Sequence, residues 1–543
     1  MMTFARGRTA LLLPVLLCGV FACSLLAKRT ELSCERDDQC QARLGAPGRC
    51  SAEGVCEAIV APEAGQKLRC DTAADCQVLS TLSSSRCVNN LCVPLKDTEG
   101  MCDKLTEGVA DEQTILLGVF YTDPSTLPTG STAGKFFHYL TEKAVSDWNA
   151  TTTGGKTSGR RMAAILCNDA GDTVKAVQHM QRLGVSAIIA PLAQNKAQAG
   201  AAEAIKQETP YLTPYDQSAV ISTGTRACAP VRQDLAPAVS TGIKDIIASV
   251  SAARGRAVNV TLVSTNLPAD DELRKALMPK LTAGVPSSTV AGVAEFPIEV
   301  DLTQPIQAKG KLIPRSNPLP DVIILNAEYY HYSLLAQIDI NWTAPTLPVY
   351  VLIGQGHTAP GYERGQLVDG GAPLKTLNNR TYLLNWAPVP APESPGVRSY
   401  VDQIVGASQS DVRFNLQQSD FAYFANDCLY TAMFASAAAV AKGNIEPNKI
   451  RNDSFKAGID LISSDQPRIS MSGLALTTAK SLLATPSKFG AIGANGPMQW
   501  GTDGKRIGLD TVELRCLKNG DWVTNKRTYS TITGDPNGPF ECP

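Results

Sequence analysis

The side chains that most often perform catalysis are sparse in this chain of 543 residues. Its four histidines stand at positions 138, 179, 331 and 357. The sequence contains no HExxH zinc motif and no GxSxG nucleophile motif. His331 and His357 are the two that could contact a ligand, although an ordinary packed histidine is the simpler interpretation. We therefore predict that the chain is not an enzyme and uses no cofactor.

A second string with chemical potential is Gly154-Gly155-Lys156-Thr157, which suggests a phosphate-binding loop. That loop needs a glycine five positions before Gly155, where this chain has Ala150. It must also precede a helix, whereas this string precedes a predicted strand. The spacing and context therefore predict a surface turn.

Cysteines are the residues whose spacing is most informative. Eight of the sixteen form two copies of one pattern, with five, nine and five residues between the cysteines of the first copy and five, ten and four in the second: Cys34, Cys40, Cys50, Cys56, then Cys70, Cys76, Cys87, Cys92. An even number of cysteines in an exported chain predicts disulfides. Zinc is the alternative, since four thiolates can hold one ion. Neither copy contains a CxxC pair, so we predict two disulfide-rich repeats over residues 34–92.

The cysteines outside the repeats give weaker expectations. Cys102 lies in a predicted linker, residues 93–113, and could tie it to the following domain. Cys516 and Cys542 are expected to pair because they are close in sequence. The connectivity of the others stays open.

The first 22 residues have the features of an export signal. Arg6 and Arg8 precede an apolar run from Ala10 to Val20, and Val20-Phe21-Ala22-Cys23 resembles a bacterial lipobox. We expect Cys23 to carry a lipid, residues 23–33 to form a tether, and the chain to lie in the cell envelope, touching the membrane only through that anchor. Ordinary signal cleavage or an uncleaved anchor is the alternative.

Composition limits the remaining classes. Basic and acidic residues are nearly equal, with a formal charge of −1, so no electrostatic surface for nucleic acid is expected. Hydrophobic residues make up 44% of the chain, which is enough for large cores. The length predicts two or three compact units.

The elements that must position any site alternate between strands and helices. From Arg161 to Pro214, short apolar runs alternate with segments of helical period, which predicts βαβ units around a parallel sheet. A second series of the same kind runs from about Pro237 to Ile353. Ligands of such sheets bind beyond the carboxyl ends of the strands. The loops to examine in the first series are therefore 167–171, 191–195 and 214–218.

Five strings, in this order, resemble the type I periplasmic solute-binding proteins of the branched-chain amino-acid receptor group. They are ILLGVF with its Thr/Gly-rich loop, NATTTGGKTSGRRMAAILCNDAGDTVKAVQHMQRL, VSAIIAPLAQNKAQAGAAEAIKQETPYLTP, DFAYFANDCLYTAMFASAAAVAKG and FGAIGANGPMQWGTDGKR. The resemblance covers about residues 114–530. It implies an α/β fold of two Rossmann-like, doubly wound lobes joined by three crossovers, with a small ligand between them.

The resemblance also implies domain limits. Lobe 1 would comprise residues 114–232 and 380–490, and lobe 2 would comprise residues 233–379 and 491–535. The expected partners are a small-molecule ligand and an ABC permease.

The family's ligand-binding positions can be carried over onto this sequence. They fall on Tyr121, Thr122, Leu192, Ala193, Gln194, Asn195, Tyr215, Asp216, Gln217, Glu328, Tyr329, Tyr330, Gln355 and Phe421. The family's serine-rich loop has no serine here, so only its backbone donors transfer. The tyrosines could instead pack at the cleft rim, and Asp216 could cap a turn.

The position that commonly supplies a carboxylate to the ligand's ammonium group is Gln355 here. An α-amino acid would therefore need Asp216 or Glu328 as its counter-ion. A neutral or carboxylate-bearing small molecule is the alternative ligand. A ligand sensor or protein-interaction module that reuses the fold is the alternative function.

Overall fold

The computed structural model describes most of the chain in ordered segments, and they form two compact units. The first unit lies within Met1–Lys96 and Val109–Glu112, and the second within Asp97–Gly108 and Gln113–Pro543. The described residues are 33–35, 39–40, 43, 48–51, 54–58, 69–77, 85–97, 101–106, 110–121, 133–153, 156–157, 160–191, 194–214, 224–229, 232–266, 268–283, 286–299, 313, 316–327, 331–354, 377–385, 420–464, 467–493, 496–507, 511–519 and 521–541.

The first unit contains the two cysteine repeats. Its elements are β1 Gly48–Cys50, β2 Cys56–Ala58, α1 Ala73–Gln77, β3 Ser85–Val88 and β4 Leu91–Pro94. In each repeat the first cysteine pairs with the third and the second with the fourth: Cys34–Cys50, Cys40–Cys56, Cys70–Cys87 and Cys76–Cys92. The predicted disulfides are confirmed, and the zinc alternative is wrong because all eight sulfurs are consumed.

The duplication extends to the backbone. The first cysteine of each repeat donates its N–H to a turn residue just before the fourth cysteine, from Cys34 to Gly54 O at 2.8 Å and from Cys70 to Asn90 O at 3.1 Å. Gly54 and Asn90 both have positive φ, of 70° and 61°. Glycine and asparagine tolerate that conformation best, so the turn chemistry is repeated with the disulfides.

Arg86 is fully buried in the second repeat. Burial lowers the pKa of its guanidinium to about 10, although the Glu112 and Asp111 carboxylates raise it. The segment Val109–Glu112 therefore supplies the negative charge that compensates a buried cation of this unit.

Lobe 1 belongs to the second unit. Its elements are β5 Cys102–Leu105, β6 Ile115–Tyr121, α2 Ala133–Ala150, β7 Thr152–Thr153, β8 Lys156–Thr157, β9 Met162–Asn168, α3 Thr173–Arg182, β10 Ala187–Ile189, α4 Gln194–Lys206, β11 Tyr211–Thr213 and β12 Thr225–Ala227. The sheet order is β12-β11-β10-β6-β9-β5, and every pairing is parallel except that of β5 with β9. The predicted parallel sheet is confirmed.

The local sequence explains why α3 starts and stops where it does. The Asp172 carboxylate accepts hydrogen bonds from the N–H groups of Val174 and Lys175 at 3.0 and 3.2 Å, which caps the helix. Val177 and Met180 are fully buried on one face. Gly184 follows the helix with a φ of +64°, a conformation that glycine adopts without strain.

The predicted linker contributes to the lobe 1 sheet. Its strand β5 pairs with β9 in antiparallel fashion, and a disulfide joins Cys102 to Cys167 across the pair. This segment has no strand signal in the sequence because it is short and partly charged. The bond and the sheet pairing instead fix it to the lobe, which identifies the partner of Cys102.

Lobe 2 also belongs to the second unit. Its elements are α5 Ala236–Arg254, β13 Val258–Thr265, α6 Pro268–Thr282, β14 Val290–Ile298, β15 Val322–Asn326, α7 His331–Ile340, β16 Val349–Gly354 and β17 Thr381–Asn385. A 3-10 turn, Arg232–Leu235, precedes α5. The sheet order is β14-β13-β15-β16-β17-β23-β24-β25, with parallel pairing from β14 through β17.

The chain then contributes to both lobes in turn. The remaining elements are α8 Asp420–Gly443, α9 Asn452–Ile462, β18 Arg468–Ser470, α10 Leu476–Ala484, β19 Gly490–Gly493, β20 Gly496–Pro497, β21 Gln499–Trp500, β22 Arg506–Ile507, β23 Thr511–Lys518, β24 Asp521–Ser530 and β25 Pro536–Asn537. The helices α8, α9 and α10 pack in the lobe 1 core, while β23, β24 and β25 extend the lobe 2 sheet.

Two of the expected lobe boundaries are wrong. The stretch 380–490 was assigned to lobe 1, but its first strand, β17, pairs with β16 of lobe 2. Lobe 2 was expected to resume at residue 491, but Ala491 and Met498 are buried in the lobe 1 core. An apolar run fits either sheet equally well, so pairing partners rather than composition decide its lobe.

Several local expectations can be compared directly. The Gly154–Thr157 string lies beside a short hairpin of β7 with β8, in line with a turn rather than a helix start, although residues 154 and 155 themselves are outside the described residues. The sequence also predicts helices over residues 304–312 and 396–405, and both ranges lie outside the described residues. So do the export segment and Cys23. No helix within the described part of the chain is long and apolar enough to cross a membrane.

Candidate functional site

The carboxyl ends of the parallel strands in lobe 1 lie along one edge of its sheet. Tyr121 ends β6, Asn168 ends β9 and Thr213 ends β11. Ligands of parallel α/β sheets bind outside this edge. This carboxyl edge is therefore the lobe 1 half of the candidate site.

Tyr121, which the resemblance places in the ligand loop, is 5% exposed. Its hydroxyl donates to Asp103 Oδ1 at 3.3 Å, and Lys104 Nζ lies 4.9 Å from its ring centroid. Both partners belong to β5. The side chain is thus engaged inside the lobe, and a part in ligand binding stays a prediction for this residue.

The loop after β9 is held in place by contacts to its backbone. The Lys196 ammonium group, from α4, donates to the carbonyl oxygen of Asp169. The N–H of Asp169 donates to Tyr121 O at 2.9 Å, and the N–H of Asn168 donates to Met101 O at 2.7 Å. The structure therefore brings a cation to this edge that sequence analysis missed. Its sequence signal is a lysine in the first turn of a helix that starts at the edge.

The first turn of α4 is the second feature of this edge. The helix begins at Gln194, directly after the predicted ligand positions Leu192 and Ala193, which lie outside the described residues. The first N–H groups of a helix have no partner within it, and they favour a negative charge. The N–H of Lys196 already donates to Asn195 Oδ1, another predicted ligand position, at 2.9 Å. The ligand-binding role of the backbone donors in this turn stays a prediction.

Lobe 2 presents a different arrangement at its carboxyl edge. Ser264 and Thr265 end β13, Asn326 ends β15, and Asp270 lies in the first turn of α6; each is at most 2% exposed. The Thr265 hydroxyl donates to the Asp270 carboxylate. Asn326 Nδ2 donates to Ser264 Oγ at 3.0 Å and to Asp270 O at 2.7 Å. These four residues form a buried network of side chains, named here the edge network.

Sequence analysis missed the edge network. A usable signal was present, since Ser264-Thr265 and Asn326 each follow an apolar run directly. Polar residues at that point of a parallel strand reach the carboxyl edge of the sheet. Hydrogen bonds satisfy their buried polar groups, as burial requires.

His331 lies at the same edge of lobe 2. It is the first residue of α7 and is 2% exposed. A Cβ atom added at Gly354, which ends β16, would lie only 3.0 Å from His331 Cε1. The imidazole therefore packs against the end of β16, where glycine leaves it room, as the simpler interpretation of this histidine expects.

Most of the predicted ligand-binding residues lie outside the described residues. These are Thr122, Leu192, Ala193, Tyr215, Asp216, Gln217, Glu328, Tyr329, Tyr330 and Gln355. Gln194 and Phe421 are placed on α4 and α8, and nothing is described of their side chains. The described strand ends directly before Glu328 and Gln355 lie at the carboxyl edge of lobe 2, so their binding roles stay predictions at plausible positions.

No protein-family model and no curated protein sequence matches this chain. Solved structures do match its fold. Rp1789 of Rhodopseudomonas palustris strain CGA009 is 12% identical, with a TM-score of 0.51 over 76% of this chain and 99% of that protein. An extracellular ligand-binding receptor from R. palustris is 11% identical, with a TM-score of 0.50 over the same shares.

A third similar structure is the leucine-binding protein LivK of Thermotoga maritima MSB8. It is 13% identical, with a TM-score of 0.49 over 76% of this chain and 97% of LivK. Identities this low show the fold alone. The sheet orders and the likenesses to the two R. palustris proteins show that the chain has a two-lobed α/β fold that resembles the fold of the type I periplasmic binding proteins.

Proposed function

We propose that this protein captures a small polar ligand between its two lobes. The observation that supports the proposal is the presence of two parallel sheets, in one unit, whose carboxyl edges carry polar groups. Lobe 1 offers the first turn of α4 and the Lys196 ammonium group, and lobe 2 offers the edge network. A binding role without catalysis accounts for these features.

The ligand we infer is an amino acid or a related small acid. A carboxylate would bind the N–H groups at the start of α4, where the helix end and Lys196 both favour negative charge. Asp216 or Glu328 would then meet an ammonium group, because Gln355 is neutral. A carboxylate without an amine is the alternative ligand.

The delivery role is the finer part of the proposal. We infer that the protein is exported, carries a lipid on Cys23 and serves an ABC importer from the cell envelope. The export signal, the lipobox-like string and the oxidised cysteine repeats support this inference. Metabolic labelling with a fatty acid, compared between the natural chain and Cys23→Ala, tests the anchor.

Titration calorimetry on the whole chain tests the binding role. The ligands are a panel of amino acids, their deaminated analogues and other small carboxylic acids. We expect heat of binding from one subset of the panel. Asp216→Ala is expected to weaken the binding of ligands that carry an amine and to leave the binding of the others unchanged. Asp453→Ala removes an exposed acid of α9, away from the segments that join the lobes, and serves as the matched control. A folded protein that gives no heat with the whole panel contradicts the proposal.

A second candidate function is a protein-interaction module or sensor, and the duplicated repeats favour it. An importer receptor needs no such repeats ahead of its lobes. Deleting residues 34–92 while keeping Cys23 separates the two functions. Unchanged uptake favours a spacer, while lost uptake with unchanged ligand binding favours a partner-binding surface.

A further inference from the structure

Two of the chain segments that cross between the lobes meet on one helix of lobe 1. The first leaves lobe 1 after β12, and another leaves after β22. Five residues bring these segments and α8 together, and we name them the hinge clamp: Ala227, Cys228, Asp427, Cys428 and Arg506, with Trp500 beside them.

The first contact of the hinge clamp is covalent. Cys228 directly follows β12, and its disulfide partner Cys428 lies on α8, 200 residues later in the chain. Both residues are fully buried. The N–H of Cys228 also donates to Thr213 O at 2.9 Å. The first crossover is therefore fixed to the lobe 1 sheet and to α8 up to Cys228.

The second contact is made by the hairpin of β21 and β22. Trp500 Nε1 donates to Ala227 O at 2.7 Å, and the N–H of Ala227 donates to Gly504 O at 3.0 Å. Gly504 has a φ of +83°, and a side chain there would collide with the carbonyl oxygen of Thr225. The hairpin thus packs directly on the backbone of the first crossover.

The third contact is a buried ion pair. Arg506 Nη1 lies 3.6 Å from Asp427 Oδ2, and both side chains are fully buried. The guanidinium also donates to Cys228 O at 2.5 Å and to Pro497 O at 3.3 Å. A buried charge that loses its partner is strongly destabilising, so Arg506 binds the second segment to α8.

The contact on the lobe 2 side of these residues is weaker. Lys505 Nζ lies 3.2 Å from Asp234 Oδ2, in the 3-10 turn before α5, and the two side chains are 28% and 53% exposed. Exposed ion pairs of this kind contribute little. The first crossover is therefore held by strong contacts at Cys228 and only by a weak contact at Asp234.

We propose that the hinge clamp fixes both segments to lobe 1, so that rotation between the lobes takes place on the lobe 2 side of Cys228 and Arg506. The disulfide limits the amplitude of this rotation. This inference concerns the motion of the ligand-free chain and holds whatever the ligand is.

The test compares two disulfide deletions in the whole chain. Cys228→Ser with Cys428→Ser opens the hinge clamp, and Cys102→Ser with Cys167→Ser opens the other disulfide of lobe 1 as the matched control. Donor and acceptor dyes are attached through non-natural amino acids at Ile205 in lobe 1 and Ile340 in lobe 2, which are 40% and 51% exposed. Single-molecule energy transfer then measures the distance between the lobes.

We expect a broader distance distribution for the hinge-clamp deletion and an unchanged one for the control. Amide exchange at Ala227 should rise roughly tenfold in the former. An unchanged distribution in a folded hinge-clamp deletion, or equal broadening in the control, overturns the proposal.

If the variant Cys228→Ser with Cys428→Ser does not fold, Trp500→Phe provides the test of the proposal. This change removes the hydrogen bond to Ala227 O, keeps an aromatic ring against the lobe 1 core and keeps the disulfide. Faster exchange at Ala227 together with a broader distribution supports the proposal, and an unchanged distribution despite faster exchange contradicts it.

Discussion

The two lobes have similar sheets but hold their edges with different polar contacts. In lobe 1, lysines donate to backbone carbonyl oxygens, with Lys196 on Asp169 and Lys480 on Trp148 and Thr151. In lobe 2, side chains bind other side chains, as in the edge network. A contact between a lysine and a backbone carbonyl involves only one side chain. When one member of a side-chain pair is replaced, the other side chain stays buried without its hydrogen-bond partner. Single substitutions at these lobe 2 contacts should therefore cost more stability than substitutions of Lys196 or Lys480. The buried Arg506–Asp427 pair of lobe 1 lies outside this comparison.

The largest loss of stability is expected at the amino edge of the lobe 2 sheet. Asp321, before β15, binds Arg254 and Arg256, and the Asp321 side chain is only 6% exposed. Changing Asp321→Asn should lower the free energy of unfolding by about 3 kcal/mol, because a largely buried Arg254 loses its counter-ion. Urea unfolding measures the loss. Glu446→Gln breaks an exposed pair with Lys449 in lobe 1 and should cost about 0.5 kcal/mol or less.

The same carboxylate gives an acid dependence. Burial alone would raise the pKa of Asp321, but the hydrogen bonds from Arg256 and from the Asn259 N–H, with the charge of Arg254, outweigh it and lower the pKa. Its stabilising effect is therefore complete above the ordinary pKa and is lost as the pH falls through the lowered one. The difference in stability between the natural chain and Asp321→Asn should shrink below about pH 4. A constant difference would argue against this ion pair.

The edge network gives the next largest effect. Changing Asn326→Leu removes the donor to Ser264 Oγ and Asp270 O, and should cost about 2 kcal/mol because these acceptors are buried. Asn341→Leu is the control, since that amide binds only Gln337 O at the half-exposed end of α7. Thermal unfolding compares the two. Equal losses of stability in the two variants would show that the edge network contributes no more than the hydrogen bond of a half-exposed amide.

Lys480 of lobe 1 should give an effect on stability that changes with pH in the alkaline range. The residue is 4% exposed, and burial lowers the pKa of its ammonium group to about 8. The unfolded chain then binds more protons than the folded chain between about pH 8 and 10.4, so this group makes stability rise with pH in that window. Lys480→Met should flatten the rise. Denaturant titrations at pH 7, 8, 9 and 10 measure the free energy of unfolding of both proteins. The same pH dependence in both would contradict the prediction.

Lys196 should give the smallest effect. Its ammonium group binds one carbonyl at a half-buried position, so Lys196→Met should cost about 0.5 kcal/mol of stability. Gln198→Met changes an exposed residue of the same helix and is the control. A loss as large as that of Asn326→Leu would remove the contrast between the lobes.

Much of the fold follows from local pattern. The alternating strands and helices predicted between Arg161 and Pro214 and between Pro237 and Ile353 match β9 to β11, β13 to β16 and the described helices among them, because apolar runs and helical periods reflect burial on known faces. The short strands β7, β8 and β12 had no such signal. Asp-Gly and Asn-Gly dipeptides predict hairpin turns, and Asp503-Gly504 lies between the paired strands β21 and β22 while Asn519 follows β23 with a positive φ of 54°. The carboxyl edge of lobe 1 was identified as the place to examine for the same reason.

The candidate site was less predictable. The edge network and the contact of Lys196 with Asp169 depend on side chains from separate elements, and no spacing in the sequence brings Asp270 to Asn326. The assignment of β17 to lobe 2 likewise depends on its pairing with β16. Single-sequence patterns report each residue's own environment but not its partner.

The cysteines show the same division. Their number and duplicated spacing predict disulfides in the repeats, and the structure pairs them first with third and second with fourth. Cys516 is also disulfide-bonded. Asn525 Nδ2 lies 3.8 Å from Cys516 Sγ, and Asn525 Oδ1 accepts from the N–H of Glu541, the residue before Cys542. These contacts support the pairing of Cys516 with Cys542, which remains our proposal.

The sequence by itself determined most elements, the oxidised state of the repeats and the two α/β series, because these depend on composition and short-range period; the two-lobed class came from the resemblance of longer strings to a family. Only the tertiary structure decided that Cys228 meets Cys428, that Arg506 meets Asp427, and that a supposed linker adds β5 to a sheet. Those contacts join residues far apart in the chain, and the packing of lobe 1 around α8 and β9 is what brings them within bonding distance.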